Sequence, residues 1–163
     1  MNNSNIYVIA EIGNNHQGSV KHGLELIKAA KDAGANAVKT QKRDNKSLYT
    51  KNFFNQIYDN PNSFGSSYGE HREKLELNKN DYKELIDYAK ELKIDFFATP
   101  FDLNSLEFLE QFNLSSYKIA SADITNIYLQ AEIAKTKKEI FLSTGGGTLE
   151  DVKRAKENIF KYL

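Results

Sequence analysis

Asp95-Phe96-Phe97-Ala98-Thr99-Pro100-Phe101 leads into the apolar-spaced stretch Leu103–Phe112 and then into Ser116-Tyr117-Lys118-Ile119-Ala120-Ser121. That order reads as strand, helix, strand, and working outward from it the same unit recurs. The runs are Ile6–Ala10 ending in Glu11, Ala37–Val38 ending in Lys39 and Gln41, and Asp95–Ala98 ending in Thr99. Ser116–Ala120 brackets Lys118 and is followed by Ser121, and Glu139–Leu142 ends in Ser143 and Thr144. Each β-rich run is followed by an amphipathic helix, and such alternation implies a parallel sheet whose chemistry lies outside the carboxyl ends of its strands. The polar residues that close the runs are therefore expected in one arc.

The fold class that follows is α/β, the first five βα units of a TIM-type (β/α)8 barrel, with a parallel sheet and a truncated end. A chain of 163 residues with 40% hydrophobic residues can bury one core, yet falls short of the roughly 250 residues of an eight-unit barrel. An opened barrel leaves two unpaired strand edges and a bare apolar face. Residues 1–163 are therefore expected to be the N-terminal portion of a longer barrel protein. A self-standing open sheet, or an oligomer that covers its own edges, are the alternatives.

Composition removes whole classes of function. Lys and Arg number 22, as do Asp and Glu, so no global field recruits nucleic acid or an anionic membrane. With no cysteine, disulfides, thiolate metal sites and cysteine nucleophiles are excluded. Met1-Asn2-Asn3-Ser4-Asn5 runs straight into the first strand with no basic or apolar leader, and no twenty-residue apolar run occurs. A cytoplasmic protein is expected.

Gly13-Asn14-Asn15-His16-Gln17-Gly18 is turn chemistry, Ser19 can cap a helix carrying Leu24, Ile27, Ala30 and Ala33, and Gly34 ends it. Residues 42–79 break the pattern as a long polar excursion holding Phe53, Phe54, Tyr58, Phe64 and Tyr68. Interleaved aromatics favour an ordered lid or interface there over a free linker. Asn78 or Asn80 can cap a helix over Tyr82–Leu92, Pro100 closes the third strand, and Ile127–Thr136 forms a helix. Thr148 with Asp151 makes a variant capping box for the last one.

A lysine in a short apolar strand is costly to bury uncompensated, so Lys39 and Lys118 should each meet an anion or lie at the wet rim. Joined by Thr99, Ser121 and Ser143, they would hold a phosphate plus a carboxylate. The alternative is a set of plain ion pairs, Lys39 with Glu11 or Asp102 and Lys118 with Asp123. Strand parity puts Lys39 and Gln41 on one face, whereas Ser121 joins Lys118 only if the strand has ended by Ala120. Gly145-Gly146-Gly147 lets backbone N–H groups approach a ligand, although a glycine run before a helix is more often simply a turn. His22 reads as a surface residue and His71 as part of a solvated helix start, while His16 could donate to a substrate or fix its turn. No His-x-x-x-His pair exists, so a metal site built wholly from this chain is not expected.

These residues together resemble the sialic acid synthase family, which comprises N-acetylneuraminate synthase and the related legionaminic and pseudaminic acid synthases. The likeness rests on Ala10-Glu11-Ile12-Gly13-Asn14-Asn15-His16-x-Gly18, Ala37-Val38-Lys39-x-Gln41 and Tyr68-Gly69-Glu70-His71-Arg72. Leu75-Glu76-Leu77, Ala98-Thr99-Pro100-Phe101-Asp102, Tyr117-Lys118-Ile119-Ala120-Ser121-x-Asp123 and Leu142-Ser143-Thr144-Gly145 continue it in order. The motifs run over essentially the whole chain.

The resemblance implies condensation of phosphoenolpyruvate with an N-acyl hexosamine such as N-acetylmannosamine, releasing phosphate and forming a nine-carbon 2-keto sugar acid. It implies Lys39, Thr99, Lys118, Ser121 and Ser143 as phosphoenolpyruvate contacts, Glu11 and Gln41 as sugar-side or metal-adjacent groups, and Asp123 as an acid near the reacting centre. Glu11 and Asp123 are the expected catalytic residues. It further implies a divalent metal, manganese or magnesium, with ligands outside this chain, and a homodimer in the full-length enzyme. Two departures stand out: Gly146-Gly147 where Met-Ala is usual, and the lack of the later strands, their two metal-binding histidines and an antifreeze-like domain. By itself the chain is expected to be inactive. A Schiff-base aldolase using Lys39 or Lys118, and a non-catalytic half-barrel association module, are the other readings.

Overall fold

The computed structural model describes residues 6–163; the lead-in Met1–Asn5 read above lies outside them. Five strands, β1 (Ile9–Glu11), β2 (Ala37–Lys42), β3 (Asp95–Pro100), β4 (Ser116–Ile119) and β5 (Glu139–Leu142), form one sheet in chain order, every pair parallel. Helices α1 (Val20–Asp32), α5 (Lys79–Glu91), α6 (Leu103–Glu110), α7 (Ile127–Lys135) and α8 (Leu149–Tyr162) alternate with them, and α2 (Asn45–Leu48), α3 (Lys51–Phe54) and α4 (Tyr68–Lys74) lie in the excursion after β2. Consecutive parallel strands with intervening helices are the first five units of a (β/α)8 barrel, as the sequence predicts.

The register separates two faces. Val38, Phe96, Ala98, Tyr117 and Ile119 lie on the helix-facing side, where they pack with Ile27, Leu85, Leu109, Leu129 and Ile133 in the main core. Glu11, Lys39, Gln41, Phe97, Thr99, Lys118 and Phe141 alternate with them on the opposite side. There Phe97 and Phe141 stack with centroids 5.1 Å apart, forming an apolar floor beneath the polar strand ends. Tyr82, fully buried on α5, donates its hydroxyl to the Gln41 carbonyl at 2.7 Å and so fixes the C-terminal end of β2.

Most boundaries agree with the sequence reading. Ser19 caps α1, Asn78 caps α5 in a complete capping box, and Thr148 with Asp151 does the same for α8. Strands β1 and β2 differ from it: β2 runs on to Lys42, and β1 starts at Ile9, with Ile6 84% exposed and, among the described residues, no strand pairing along the outer edge of β1. The helices before β2, β3, β4 and β5 each end through a left-handed residue: Gly34, Lys93, Asn113 and Lys137, with φ of 85°, 54°, 49° and 59°. That conformation lets the chain turn back to the sheet while satisfying the last helical carbonyls.

The excursion is ordered. Tyr49, Phe53, Tyr58, Tyr68, Phe64 and His71 make a chain of ring contacts at 4.8–5.7 Å. His71, read above as solvated, is instead half-buried among these rings, and its Nδ1 accepts from the Phe64 amide at 3.2 Å. A methyl group at Gly69 would fall 2.3 Å from the Phe54 ring, so only glycine allows α4 to lie against it. Lys42 bonds Glu76 at 2.9 Å, and both side chains are 12% exposed, which ties the return of the excursion to the end of β2.

Candidate functional site

Of the expected site residues, Glu11, Gln41, Thr99 and Lys118 lie at the C-terminal ends of their strands, Ser121, Asp123 and Ser143 lie just beyond, and Lys39 sits mid-strand on the same face of β2 as Gln41. Lys39, 8% exposed, contacts the Glu11 carboxylate on the neighbouring strand and donates to Thr99 Oγ1 at 3.0 Å. Burial pushes its pKa below the ordinary lysine value, and the Glu11 contact opposes that shift. The β1–α1 turn folds over the strand end, because Ile12 and Gly13 both donate their amides to the Lys39 carbonyl at 2.9 and 3.1 Å. Gly13 has φ 21°, and a Cβ there would stand 2.7 Å from Glu11 Oε1 and 2.9 Å from Gln41 Nε2. The missing side chain is what brings Glu11 and Gln41 together.

Lys118 differs from Lys39 in having no carboxylate partner among the described residues. It donates to the Ile119 carbonyl at 2.8 Å. Burial lowers its pKa first and the charge of Lys39 lowers it further, while Glu11 raises it. The two ammonium groups are thus electrostatic neighbours across β3, both under the influence of the Glu11 carboxylate on β1. Of the ion pairs weighed from the sequence, Lys39–Glu11 forms. Asp102 instead caps α6, accepting from Ser105 and from the Asp44 amide. Asp123 accepts from Asn126 at 3.1 Å rather than from Lys118.

Strand β4 ends at Ile119, and Ser121–Asp123 is a 3-10 turn, which meets the parity condition for Ser121. Gly145 lies against it, with a Cβ position 3.7 Å from Ser121 Oγ. Ser143 follows β5 and donates its amide to the Ile119 carbonyl at 3.1 Å. Asp123 is half-buried, and desolvation raises its pKa above the usual carboxylate value, with Asn126 and Arg43 opposing. His16, only 2% exposed, accepts from the Gly18 amide at 3.1 Å through Nδ1, so it fixes its turn.

Arg43 is the site residue that sequence reasoning missed. It donates to Gln41 Oε1 at 2.7 Å and lies over the Phe101 ring, Cζ 3.7 Å from the centroid. Its parity with Lys39 and Gln41 was the available signal. The assembled arc carries two lysines, an arginine and three hydroxyl side chains against Glu11 and Asp123, a composition suited to an anion with several oxygens. Among the described residues no three His, Asp or Glu side chains converge on a metal position. The residues present therefore do not by themselves fit a divalent ion.

Comparison with known proteins agrees with this architecture. N-acetylneuraminate-9-phosphate synthase of Drosophila melanogaster is 40% identical over 149 residues, covering 91% of this chain and 40% of that protein. N,N'-diacetyllegionaminic acid synthase of Campylobacter jejuni is 38% identical over 149 residues, covering 91% and 45%. The crystal structure of the N-acetylneuraminic acid synthetase of Leptospira borgpetersenii, in complex with citrate, superposes with a TM-score of 0.82 at 30% identity, over 98% of this chain and 52% of that one. The chain thus spans 40% of the length of the Drosophila relative and about half of the Leptospira chain. The NeuB family model matches residues 26–162, from within α1 to the end of α8, and the chain belongs to the NeuB family.

Proposed function

We propose that this chain is the phosphoenolpyruvate-holding part of a sialic-acid-type synthase. That enzyme would condense phosphoenolpyruvate with an N-acyl hexosamine of the N-acetylmannosamine type, giving a nine-carbon 2-keto sugar acid and phosphate. Residues 1–163 are then the N-terminal portion of a barrel domain whose later strands and antifreeze-like domain lie outside this stretch. The observation that carries the reading is the placement of Lys39 and Lys118 on one face of the sheet, on either side of β3 and its Thr99, with only Lys39 paired to a carboxylate.

In this reading Lys118, with two N–H groups to spare, and Lys39, with Thr99, Ser121 and Ser143 beside them, hold the phosphate and carboxylate of phosphoenolpyruvate. The methylene carbon uses its double-bond pair to form a C–C bond to the sugar's aldehyde carbon, whose oxygen takes up a proton. A water oxygen adds to C2 and loses both protons, one matching that taken up by the sugar oxygen and one leaving with phosphate, which departs with the electron pair of its C–O bond as C2 becomes a ketone. Pre-placed ammonium groups stabilise the charge that grows on the departing phosphate. Asp123, its carboxyl raised by burial, is suited to hold and pass a proton, while Glu11 and Gln41 face the sugar side.

A divalent metal, manganese or magnesium, belongs to the same reading, with ligands outside these residues and the task of orienting the aldehyde and a water. So do a homodimer, a cytoplasmic setting and the lack of nucleic-acid or membrane partners. Among the described residues no helix is long and apolar enough to cross a membrane. Calorimetric titration with phosphoenolpyruvate tests the central claim. Weak binding is expected, abolished by Lys39→Met and by Lys118→Met; equal binding by wild type and both variants overturns it.

The lowered pKa of Lys118 favours a second reading, since amine activation of that kind serves Schiff-base aldolases. Borohydride treatment with pyruvate separates the two. The synthase reading expects no mass increase, and a reduced adduct on Lys39 or Lys118 would replace it. A non-catalytic half-barrel would show association without phosphoenolpyruvate binding.

A further inference from the structure

Arg43 is held at both ends. Its backbone amide donates to Glu76 Oε2 at 3.2 Å where the excursion returns, and its guanidinium lies over the Phe101 ring, Cζ 3.7 Å from the centroid. Stacking of this kind fixes the plane of the donor fork. From that ledge NH2 donates to Gln41 Oε1 at 2.7 Å, while NH1, like Glu76 Oε1, is buried with no hydrogen-bond partner. The bond to Gln41 is thus the one that ties this guanidinium to β2. Arg72, whose charge lowers the pKa of Arg43 after the larger effect of burial, is spent on the β1–α1 turn. Its NH1 and NH2 lie 3.2 and 3.0 Å from the Asn14 amide oxygen in the orientation that satisfies both groups.

A guanidinium has donors and no acceptor, so it can meet only the oxygen side of a side-chain amide. Gln41 therefore turns Oε1 to Arg43 and Nε2 away from it. Gly13 lies on that other side: a Cβ there would stand 2.9 Å from Gln41 Nε2 and 2.7 Å from Glu11 Oε1. Lys39 takes the second oxygen of Glu11, Oε2, and the Glu11 side chain is 47% exposed. One donor and one acceptor are left side by side at the mouth. We propose that Arg43 is a positioning residue, which locks the Gln41 amide with its N–H groups toward Glu11, so that the mouth offers a donor–acceptor pair rather than two oxygens. With the amide reversed, two acceptors would face each other and the site would suit a different ligand. The inference deepens the reading of Glu11 and Gln41 as the sugar side, and rests on that reading only for the identity of what binds there. The same charge reaches Asp123. Burial pushes the Asp123 carboxyl up, the Asn126 bond and then Arg43 oppose the rise, and Asp102 adds to it. Removing the guanidinium should therefore be felt at two side chains at once.

Nuclear magnetic resonance of the isotope-labelled chain tests this without any substrate. In the wild type a through-space cross-peak is expected between the Gln41 side-chain amide protons and the α-protons of Gly13. Arg43→Met removes every donor and the charge while keeping an apolar contact with Phe101. The cross-peak should then be lost, and the Asp123 carboxyl, followed through its side-chain carbon, should titrate at higher pH than in the wild type. Arg43→Lys returns the charge and a donor, and should bring both signals back toward their wild-type values. Absence of the cross-peak in the wild type overturns the proposal whatever the variants do. So does a cross-peak that persists at full strength in Arg43→Met, which would assign the Gln41 orientation to Glu11 alone. An Asp123 titration unmoved by Arg43→Met would place the guanidinium elsewhere and overturn it as well. Titration of the wild type with phosphoenolpyruvate keeps the two claims apart: lack of binding would remove the synthase reading, while the cross-peaks still decide what Arg43 does to Gln41.

Discussion

Lys118 and Ser143 meet at one atom: the Ile119 carbonyl accepts the ammonium of the first at 2.8 Å and the amide of the second at 3.1 Å. The ends of β4 and β5 therefore hold a cation and a hydroxyl in fixed relation. Anchoring Lys118 to its own strand keeps the amine in a place where burial and Lys39 both disfavour its charge.

That arrangement sets the pH response of anion binding. Both lysines have pKa values below the ordinary 10.5, and a bound anion raises them again by favouring the charged forms. Binding should take up protons, and affinity should fall as pH rises through the lowered lysine values. Calorimetry with phosphoenolpyruvate in two buffers of different ionisation enthalpy measures this; proton release on binding would contradict it. For stability the sign is opposite. The unfolded chain binds more protons across the same alkaline range, so these groups favour the folded state more as pH climbs toward 10.5.

Removing the carboxylate beside Lys39 should strengthen anion binding. Glu11→Gln keeps the shape of the side chain but leaves both ammonium charges uncompensated. Affinity for phosphoenolpyruvate is expected to rise by about three- to ten-fold, roughly one unit of pKa-scale interaction. Titration of the variant decides it, and weaker binding would show that Glu11 orients Lys39 more than it opposes the anion.

Gly13→Ala should disturb the mouth without unfolding the chain. Its methyl group meets Glu11 Oε1 at 2.7 Å and Gln41 Nε2 at 2.9 Å, at a backbone angle that disfavours a side chain. A loss of about 1–3 kcal/mol in denaturant unfolding is expected, together with an altered affinity for phosphoenolpyruvate.

His16 should make the fold acid-sensitive. Burial lowers its pKa to about 4, so the folded state holds the neutral ring while the unfolded chain protonates near 6.5. Its contribution is present above pH 6.5 and is lost as pH falls toward 4, by up to about 3 kcal/mol. His16→Asn keeps an acceptor for the Gly18 amide and removes the titration. Its urea midpoint should change less between those pH values than that of the wild type.

Lys137→Gly should stabilise the chain. Lys137 holds φ 59° between α7 and β5, a conformation that Gly34 meets without a side chain between α1 and β2. A gain of about 1 kcal/mol in chemical denaturation is expected. No gain would mean that the Lys137 bond to the Tyr162 carbonyl at 2.6 Å offsets the strain.

The repeat of strand and helix was legible because the helix-facing sides of β2, β3 and β4 alternate cleanly and the caps at Ser19, Asn78 and Thr148 are local signals. The full length of β2 was not. Its last four residues, Lys39-Thr40-Gln41-Lys42, are polar, Lys39 and Gln41 facing the mouth and Lys42 on the other face tied to Glu76, and a polar run hides a strand from a hydrophobicity reading. For the same reason Arg43 fell into the excursion, although it continues the alternation of Lys39 and Gln41. Helices α2 and α3 span four residues each, too few for periodicity to register. Only their caps, Asp44 and Thr50, mark them. The Lys39–Glu11 contact followed from spacing as one of two options, but the lack of a carboxylate at Lys118 depended on Asp123 turning toward Asn126, which only the 3-10 turn decides.

Gly69 has a reach well beyond its own turn. By letting α4 press on Phe54, it sets the distance at which Arg72 extends toward Asn14 in the β1–α1 turn. That turn is the one whose glycine gathers Glu11 and Gln41. A hydrogen atom in place of a side chain on α4 thereby couples the posture of the aromatic excursion to the groups at the barrel mouth.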